Sequence, residues 1–268
     1  MLYMVATPIG NKDEITLRAL QVLRTVERIY CEDTSRSGVL LQLHGVRTPL
    51  YRYDKFSESK KMNEIVDRVR GGAEIALISD AGMPLISDPG ARLVAALQKE
   101  GLPYTVVSGA CALVNAVVAS GLDTERFFMV GFLPAKNKDR DALLLQIKDL
   151  HATLVFYVPP HDILEYLAYL YDKLGARQVA LCRELTKMYE QVVRFALGAV
   201  PDFVQKGEMV LCVEGKPNVV EQLSEQEIIE QVRQLVQEGV DKKEAIKQVA
   251  QKQKMQKSVV YNLYEQTK

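Results

Sequence analysis

The 268-residue chain has no excess of charge of either sign, because 34 Lys and Arg residues balance 34 Asp and Glu residues. The net charge therefore points to no nucleic-acid or membrane partner, although a local basic region can exist within a neutral chain. No apolar stretch approaches the roughly 20 residues that span a bilayer. The chain starts MLYMVATPIG, an apolar run that ends at Pro8 without a basic leader or a cleavage signature. We therefore expect a cytoplasmic protein that has no membrane span.

Cysteine and histidine are scarce. The cysteines lie far apart without a CxxC pair, and they are Cys31, Cys111, Cys182 and Cys212. We interpret them as reduced thiols in the core. The three histidines have no histidine partner four residues away and no cluster of carboxylates beside them in the sequence, so no metal site is predicted.

Several catalytic signatures are absent from the sequence. It contains no GxxxxGK[ST] loop, no GxGxxG after a strand, no GxSxG elbow and no HExxH helix. Nucleotide hydrolysis, dinucleotide redox chemistry and serine hydrolysis therefore lose support.

The sequence does contain a regular alternation of strand and helix patterns. In residues 1–120, short apolar runs predict strands at Leu2–Ala6, Arg28–Cys31, Pro49–Tyr53, Ile75–Ile78 and Tyr104–Val107. Helical spacing between them predicts helices at Ile15–Val26, Ser35–Leu43, Met62–Arg70 and Ala91–Glu100. This order predicts an α/β domain with a largely parallel sheet.

Residues 121–216 alternate again and predict a second α/β domain. The segment Gly121–Arg140 is interpreted as the crossing into it. Strands are predicted at Thr153–Tyr157, Gln178–Cys182, Val192–Leu197 and Met209–Val213, with a helix at Ile163–Leu174.

Residues 217–268 have a different character. Capping boxes at Ser224–Glu227 and Asp241–Glu244, followed by apolar residues at helical spacing, predict three short helices in a helix-turn-helix-like arrangement. Only two acids accompany six lysines between residues 241 and 258: Lys242, Lys243, Lys247, Lys252, Lys254 and Lys257. Two interpretations fit this composition, contact with RNA phosphates or an ordinary solvated helical face.

A doubled loop in the first domain points to a ligand. Between Ile78 and Gly90 the chain reads ISDAGMPLISDPG, in which Ile-Ser-Asp occurs twice. Loops at Thr7–Asn11, Glu32–Thr34 and Ser108–Ala112 also follow predicted strands, and ligands of open α/β sheets bind beyond the carboxyl ends of the strands. Small residues leave the backbone accessible, and carboxylates accept hydrogen bonds from hydroxyl, amide or cationic groups. This favours a polar cofactor over a bare phosphate, although turns are rich in the same residues.

The motifs together resemble a known family. LYMVATPIGNKDEITLRAL, EDTSRS, ALISDAGMPLISDPGARLV, SGL followed by GFLPAK, and RELTKMYE followed by KGEMVLCVEG occur in order from Leu2 to about Gly215. They closely resemble the bacterial ribosomal RNA small subunit methyltransferase I family, of the tetrapyrrole methylase-like class, and residues 217–268 resemble its carboxyl-terminal helix-turn-helix segment. The resemblance implies S-adenosylmethionine-dependent methylation of a cytidine ribose 2′-hydroxyl in small-subunit ribosomal RNA. It also implies a homodimer, with the cofactor in a cleft between two α/β domains.

The resemblance also assigns the residues of the cofactor site by motif position. It places Pro8, Ile9 and Gly10 at the floor of the cleft. It places against the cofactor the loop residues Asp80, Ala81, Gly82, Ser87 and Asp88. It completes the pocket with Ser108, Gly109, Ala110, Phe156 and Tyr157.

The RELTK segment supplies the candidate catalytic residues. Methyl transfer is an in-line displacement from a sulfonium, so positioning supplies much of the catalysis. A protonated ribose hydroxyl is a poor nucleophile, and a base or a cation that stabilises the alkoxide would help. Glu184 and Lys187 offer both kinds of group, and a structural ion pair is the alternative interpretation.

The sequence departs from the family pattern at five places, and other functions stay open. The departures are Met83, Ser35 with Arg36 displaced by one position, Ser108–Cys111, Val158–Asp162 and Asp54–Ser57, and they bear on the RNA contacts and on the choice of target. A tetrapyrrole methyltransferase would share the cleft. A non-catalytic protein that binds S-adenosylmethionine or RNA would share the loops without turnover.

Overall fold

The computed structural model describes residues 1–217, 223–253 and 255–266. The chain divides into two compact units, Met1–Lys216 and Pro217–Lys268. The first unit contains two five-stranded sheets, and the described residues of the second form three helices. The described part of the chain has no helix that is long and apolar enough to cross a membrane.

The first sheet is entirely parallel, which agrees with the prediction of a largely parallel sheet. Its strands are β1 (Leu2–Val5), β2 (Arg28–Cys31), β3 (Leu50–Arg52), β4 (Ile75–Ile78) and β5 (Tyr104–Val107). They lie in the order β3-β2-β4-β1-β5. The intervening helices are α1 (Leu17–Thr25), α2 (Thr34–Leu43), α3 (Glu58–Arg70) and α4 (Ala91–Lys99). Buried residues cover both faces of the sheet, which explains why β4 is apolar at every position.

The second sheet is mixed. Helix α5 (Ala112–Ser120) leads into β6 (Phe127–Gly131), α6 (Asn137–Ile147), β7 (Thr153–Val158), α7 (Ile163–Leu174), β8 (Gln178–Arg183), β9 (Gln191–Ala196) and β10 (Met209–Val213). The strand order is β6-β7-β10-β8-β9, in which β6 and β7 are parallel and the other neighbours are antiparallel. Helix α5 packs against β8 and β10. The α/β fold class is therefore confirmed for both sheets, while the domain boundary at residue 120 stays a prediction.

One interpretation of the second sheet was incomplete. The segment Gly121–Arg140 is more than a crossing, because it contains the edge strand β6 and the first turn of α6. Strand β6 pairs with β7 through an irregularity between Met129 and Gly131, and Phe127 and Phe128 at its start are exposed. An exposed start and a bulge hide the alternation that would identify a strand.

The helical unit forms around its own apolar core. Helices α8 (Glu225–Gln237), α9 (Lys242–Lys252) and α10 (Lys257–Glu265) bury Val232, Ile246, Val249 and Val260. The predicted capping box at Ser224 and Glu227 is present in both directions. At the second predicted box, Asp241 accepts from the N–H groups of Lys243 and Glu244, but the Glu244 carboxylate pairs with Lys247 rather than reaching back.

Candidate functional site

Two loops at the carboxyl edge of the first sheet are joined by backbone hydrogen bonds. The Thr7 N–H donates to Gly82 O at 2.9 Å, and the Gly82 N–H donates to Thr7 O at 3.1 Å. The Thr7 hydroxyl donates to Ser79 O at 3.1 Å, and the Ser79 hydroxyl donates to Gly82 O at 3.0 Å. Since β1 and β4 are neighbours in the sheet, their loops converge as the sequence analysis expects.

Backbone strain is concentrated in two segments of the site. In the described residues, positive φ angles outside glycine occur at Leu85 (71°) and Ser87 (68°) in the doubled loop, and at Glu184 (51°) and Thr186 (65°) in the RELTK segment. Such conformations are costly for residues with a Cβ and persist where the surroundings impose them. Both segments are therefore held in defined shapes by their contacts.

A cavity of about 410 Å³ lies between the two sheets of the first unit. Its size is in the range of small-molecule sites. The predicted residues that line it are Ile9, Asp80, Ala81, Ser87, Asp88 and Tyr157. Residues that the sequence analysis did not assign complete the wall: Arg36, Ile86, Ala112, Phe132, Val158, Pro159, Pro160, Cys182, Leu185, Gly207, Glu208, Met209 and Val210. We call this the first cavity.

A second cavity of about 330 Å³ adjoins the first. It is lined by Pro8, Ile9, Gly10, Lys12, Arg36, Ser37, Val39, Leu40, Ser79, Asp80 and Lys187. The two cavities have Ile9, Arg36 and Asp80 in common, so these three residues form the boundary between them. Pro8 and Gly10, predicted for the cofactor site, line this second cavity instead.

Other predicted cofactor residues lie behind the cavity walls. Gly82 is fixed to Thr7, and its φ of 80° is accessible to glycine without strain. Gly109 lies against Ala6, where an added Cβ would be 2.8 Å from the Ala6 Cβ. Ala110 belongs to the apolar cluster behind the first cavity, and Ser108 lies in the same loop. These glycines allow the loops to approach one another.

The Phe156 side chain does not face the site. It is fully buried in the core on the opposite side of the second sheet, among residues such as Leu154 and Leu211. Its neighbour Tyr157 lines the first cavity, with its ring centroid 5.5 Å from that of Phe132. Successive side chains of a strand point to opposite faces, so only one of these two neighbours can reach the cavity.

The first cavity raises the pKa of two of its groups. Burial, followed by the negative charges of Glu32 and Asp80, raises the pKa of Asp88 to about 6, against the opposing effects of Ser79 and Lys55. Burial also raises the pKa of Tyr157 to about 12. Asp80 has a structural contact as well, because it accepts a hydrogen bond from the Asp33 N–H at 3.0 Å.

The candidate catalytic pair forms a hydrogen-bonded cluster. Lys187 Nζ donates to Glu184 Oε1 at 2.8 Å and to Glu208 Oε2 at 2.9 Å. Glu184 Oε1 also accepts from the Glu208 N–H at 2.8 Å. Burial lowers the pKa of Lys187, but its bonds to the two carboxylates outweigh this, and the pKa is raised overall. Burial likewise opposes ionisation of Glu184, yet Lys187 and the Glu208 N–H hold its pKa below the usual value.

Sequence reasoning missed the link between this cluster and the cavity boundary. Arg36 Nη2 lies 3.7 Å from Glu208 Oε1, so Glu208 lies between Arg36 and Lys187. Both residues stand inside the quoted segments EDTSRS and KGEMVLCVEG, which could have drawn attention to them. Their proximity depends on the fold, because they come from different halves of the first unit.

The six lysines of the helical unit differ in their surroundings. Lys243, Lys247, Lys252 and Lys257 are exposed, although Lys247 pairs with Glu244. Lys242 pairs with Glu265, and its ammonium lies 5.5 Å from the ring centroids of both Tyr261 and Tyr264. The sequence analysis expects Lys242 to contact RNA, but in the structure its ammonium contacts residues of its own unit and so has a structural role there. Lys254 lies outside the described residues.

Comparisons with known proteins agree with the fold and the motifs. The model of the Tetrapyrrole (Corrin/Porphyrin) Methylases family matches residues 1–201. Ribosomal RNA small subunit methyltransferase I of Halalkalibacterium halodurans is 40% identical over 276 residues, covering 99% of this chain and 94% of the relative. The same-named protein of Pasteurella multocida is 45% identical over 224 residues, covering 81% of this chain and 79% of the relative.

A solved structure extends the agreement to the fold. Uroporphyrin-III-C-methyltransferase from Thermus thermophilus matches with a TM-score of 0.58 and 24% identity, covering 80% of this chain and 94% of that one. At this identity the match shows the fold alone. Together with the family model and the relatives above, it confirms the resemblance: the chain belongs to the tetrapyrrole methylase family and to the ribosomal RNA small subunit methyltransferase I group.

Proposed function

We propose that the protein transfers a methyl group from S-adenosylmethionine to the ribose 2′-hydroxyl of a cytidine in small-subunit ribosomal RNA. The observation that carries this proposal is the extent of the match. The Halalkalibacterium relative aligns with 99% of the chain and so includes both the cavities and the helical unit. The porphyrin enzyme covers 80% of the chain. The relatives named as ribosomal RNA methyltransferases are 40% and 45% identical to the chain, against 24% for the porphyrin enzyme, and this difference favours RNA over a tetrapyrrole as the substrate.

The first cavity has the chemistry that S-adenosylmethionine requires. Among its described lining residues are the carboxylates of Asp80, Asp88 and Glu208, which suit a ligand with a sulfonium and an ammonium group. Ile86, Met209 and Val210 offer an apolar wall for a flat base. When bound there, the cofactor would supply a methyl group on a positively charged sulfur, which is a good leaving group.

The chain's own residues prepare the ribose oxygen. Lys187 lines the second cavity as a charged ammonium, so it can stabilise negative charge on a ribose oxygen as the hydroxyl proton passes to solvent water. Glu184 is absent from the described lining of both cavities, and its Oε1 already accepts two hydrogen bonds. We therefore assign Glu184 to positioning Lys187 rather than to proton removal.

The exposed lysines of the helical unit are proposed to bind RNA phosphates. Lys243, Lys252 and Lys257 extend from α9 and α10 into solvent. Phosphate contacts of this kind supply affinity without reading the sequence. The bound partner is proposed to be small-subunit ribosomal RNA or the assembled small subunit.

The homodimer and the cytoplasmic location are also proposals. Large apolar side chains are exposed on three consecutive elements, β5, α5 and β6: Val106, Val114, Val118, Phe127 and Phe128. Exposed apolar groups of this kind suit a second copy of the chain. Analytical ultracentrifugation of the wild type and of Val118→Glu tests this, with a shift towards monomer expected in the variant.

The decisive experiment for the function is methylation of a defined substrate. Small ribosomal subunits from a strain that lacks the gene are incubated with the purified protein and methyl-labelled S-adenosylmethionine. Nuclease digestion and mass spectrometry should then find labelled 2′-O-methylcytidine in the RNA. Label in no nucleoside, or on a base instead of a ribose, would contradict the proposal.

A further inference from the structure

The two adjoining cavities have opposite charge. The charged residues among the described lining of the first cavity are Asp80, Asp88, Glu208 and the single cation Arg36. Those of the second cavity are Lys12, Arg36, Lys187 and the single carboxylate Asp80. A cationic ligand is therefore favoured in the first cavity, and an anionic ligand is favoured in the second.

The cations of the second cavity have hydrogen-bonding capacity left. Lys187 uses two of its three N–H groups on Glu184 and Glu208. Arg36 has a long contact of 3.7 Å to Glu208, and its side chain is 55% exposed. Lys12 is exposed and has no ion pair with any residue that the structure describes. Together they can donate several charge-assisted hydrogen bonds to a phosphate.

Helix α2, which carries Arg36, also gives the second cavity a surface that suits a nucleoside. Helix α2 contributes Val39, which is 60% exposed, and Leu40, which is partly buried, as an apolar surface for a base. It also contributes Ser37, which is 3% exposed, and its hydroxyl hydrogen-bonds to none of the described residues by ordinary geometry. The neighbouring Cys31 thiol is only a weak partner for this hydroxyl.

We propose that the second cavity is the binding pocket of the target nucleotide, an inference that rests on the function proposed above. The ribose lies at the boundary formed by Ile9, Arg36 and Asp80, where its 2′-hydroxyl faces the first cavity. The phosphate lies towards Lys12, the base lies along Val39 and Leu40, and the remaining N–H of Lys187 donates to the ribose oxygen. A cavity of about 330 Å³ admits one nucleotide that has left the base stack, so the pocket selects unpaired RNA.

Two variants at exposed positions test the pocket. Val39→Trp narrows it from α2, and Lys12→Glu replaces an attractive charge with a repulsive one. Each should lower kcat/KM for small ribosomal subunits at least about tenfold, because Lys12→Glu loses a charge-assisted contact and Val39→Trp fills space that the base needs. Calorimetric affinity for S-adenosylmethionine, measured without RNA, should stay within about twofold, since neither residue lines the first cavity.

Lys99→Glu is the matched control. Lys99 is exposed at the end of α4, which leads to the amino-terminal end of β5 and so to the sheet edge opposite the loops. Its kcat/KM should equal that of the wild type. If both pocket variants of an active enzyme keep the wild-type kcat/KM, the pocket assignment is wrong and the proposed function is unaffected. The same holds if their kcat/KM falls only in proportion to a loss of cofactor affinity. If the wild type leaves ribosomal RNA unmethylated, the proposed function fails and the pocket assignment with it.

Discussion

Gly10 and Lys187 are packed so closely that a Cβ on Gly10 would lie 2.5 Å from Lys187 Cγ. The same Cβ would lie 2.9 Å from the backbone oxygen of Leu185. The Asn11 N–H meanwhile donates to Thr186 Oγ1 at 2.9 Å. The loop after β1 and the RELTK segment therefore fit together only because residue 10 has no side chain.

Gly10→Ala should destabilise the protein by about 1–3 kcal/mol, because the collision with Leu185 O involves backbone that cannot rotate away. Urea unfolding measures this change. Gly71→Ala is the control, since its Cβ would lie 3.5 Å from the nearest atoms, which is an ordinary contact. Equal stability of the two variants would contradict the tight packing at Gly10.

Lys187→Ala should lower kcat by about 10²-fold, as expected when a donor to a developing oxyanion is lost, with cofactor affinity unchanged. Glu184→Gln should lower kcat less, because Glu208 still holds the ammonium at 2.9 Å. Lys187→Arg should restore part of the activity. Steady-state kinetics at saturating RNA and cofactor measures all three.

Lys173→Ala provides the comparison for Lys187→Ala, because Lys173 is also a paired lysine, with Asp141 and Asp172, and lines neither cavity among the described residues. It should keep the wild-type kcat. A wild-type kcat in Lys187→Ala as well would leave the ion pair with a structural role only.

Gly82→Ala should weaken S-adenosylmethionine binding at least about tenfold, because its Cβ would press on Ile9 Cγ2 at 3.0 Å, in the cavity wall, from a strained φ of 80°. Gly45→Ala carries similar strain at φ 67° with no described atom within 4 Å of the Cβ. Calorimetry should find normal affinity in Gly45→Ala. Equal affinities in the two variants would show that the contact of residue 82 with Ile9 has no bearing on the cofactor site.

Asp88→Asn should stabilise the ligand-free protein at pH 8 but not at pH 4. The Asp88 pKa is about 6 in the folded protein and 3.8 for the unperturbed group, so the folded state holds the proton more tightly. Ionisation therefore costs stability, on the order of 1–2 kcal/mol above pH 6 once screening by solvent is included, and this cost disappears below pH 4. The charged neighbours Glu32, Asp80 and Lys55 stay in place in the variant.

Urea unfolding across this pH range checks the Asp88 effect, and Asp149→Asn gives the opposite sign. The ion pair with Lys216 lowers the pKa of Asp149, so its contribution to stability is present at neutral pH and fades as the pH falls through the folded pKa. A pH-independent effect of Asp88→Asn would mean that this carboxyl titrates normally.

Lys252→Ala should reduce the salt dependence of RNA binding by about one unit of the log–log slope, because one phosphate contact is lost. Lys242→Ala should instead lower the stability of the helical unit, since it removes the contacts with Glu265, Tyr261 and Tyr264. Filter binding over a salt series measures the slope. Lys99→Ala serves as the control, and a slope for Lys252→Ala equal to that of the control would exclude a phosphate contact by Lys252.

The parts of the fold that were predictable from the sequence are those with local signals. Strands such as β4 are continuous apolar runs because both faces of the sheet are covered. Helix α5 was missed because ALVNAVVAS is apolar on nearly every side and so lacks the helical period. The cavity loops were found from turn chemistry and motifs that occupy a few consecutive residues.

The parts that could not be predicted depend on distant residues. The sequence identifies Phe156 and Tyr157 as neighbours on a strand, but it does not say which face of the sheet meets the cavity. Arg36 and Glu208 lie close together although they come from different halves of the first unit. Lys242 was grouped with the other lysines because its partners Tyr261 and Glu265 come from the next helix.

The opposite charge of the two cavities determines which charged groups an inhibitor must carry and where. A molecule that occupies both must carry a cationic centre among Asp80, Asp88 and Glu208 and an anionic group near Lys12 and Lys187. Such a bisubstrate zwitterion has no net charge, and its two ends cannot exchange places without meeting like charge at both. The dipole of the compound, rather than its size, then fixes its orientation in the enzyme.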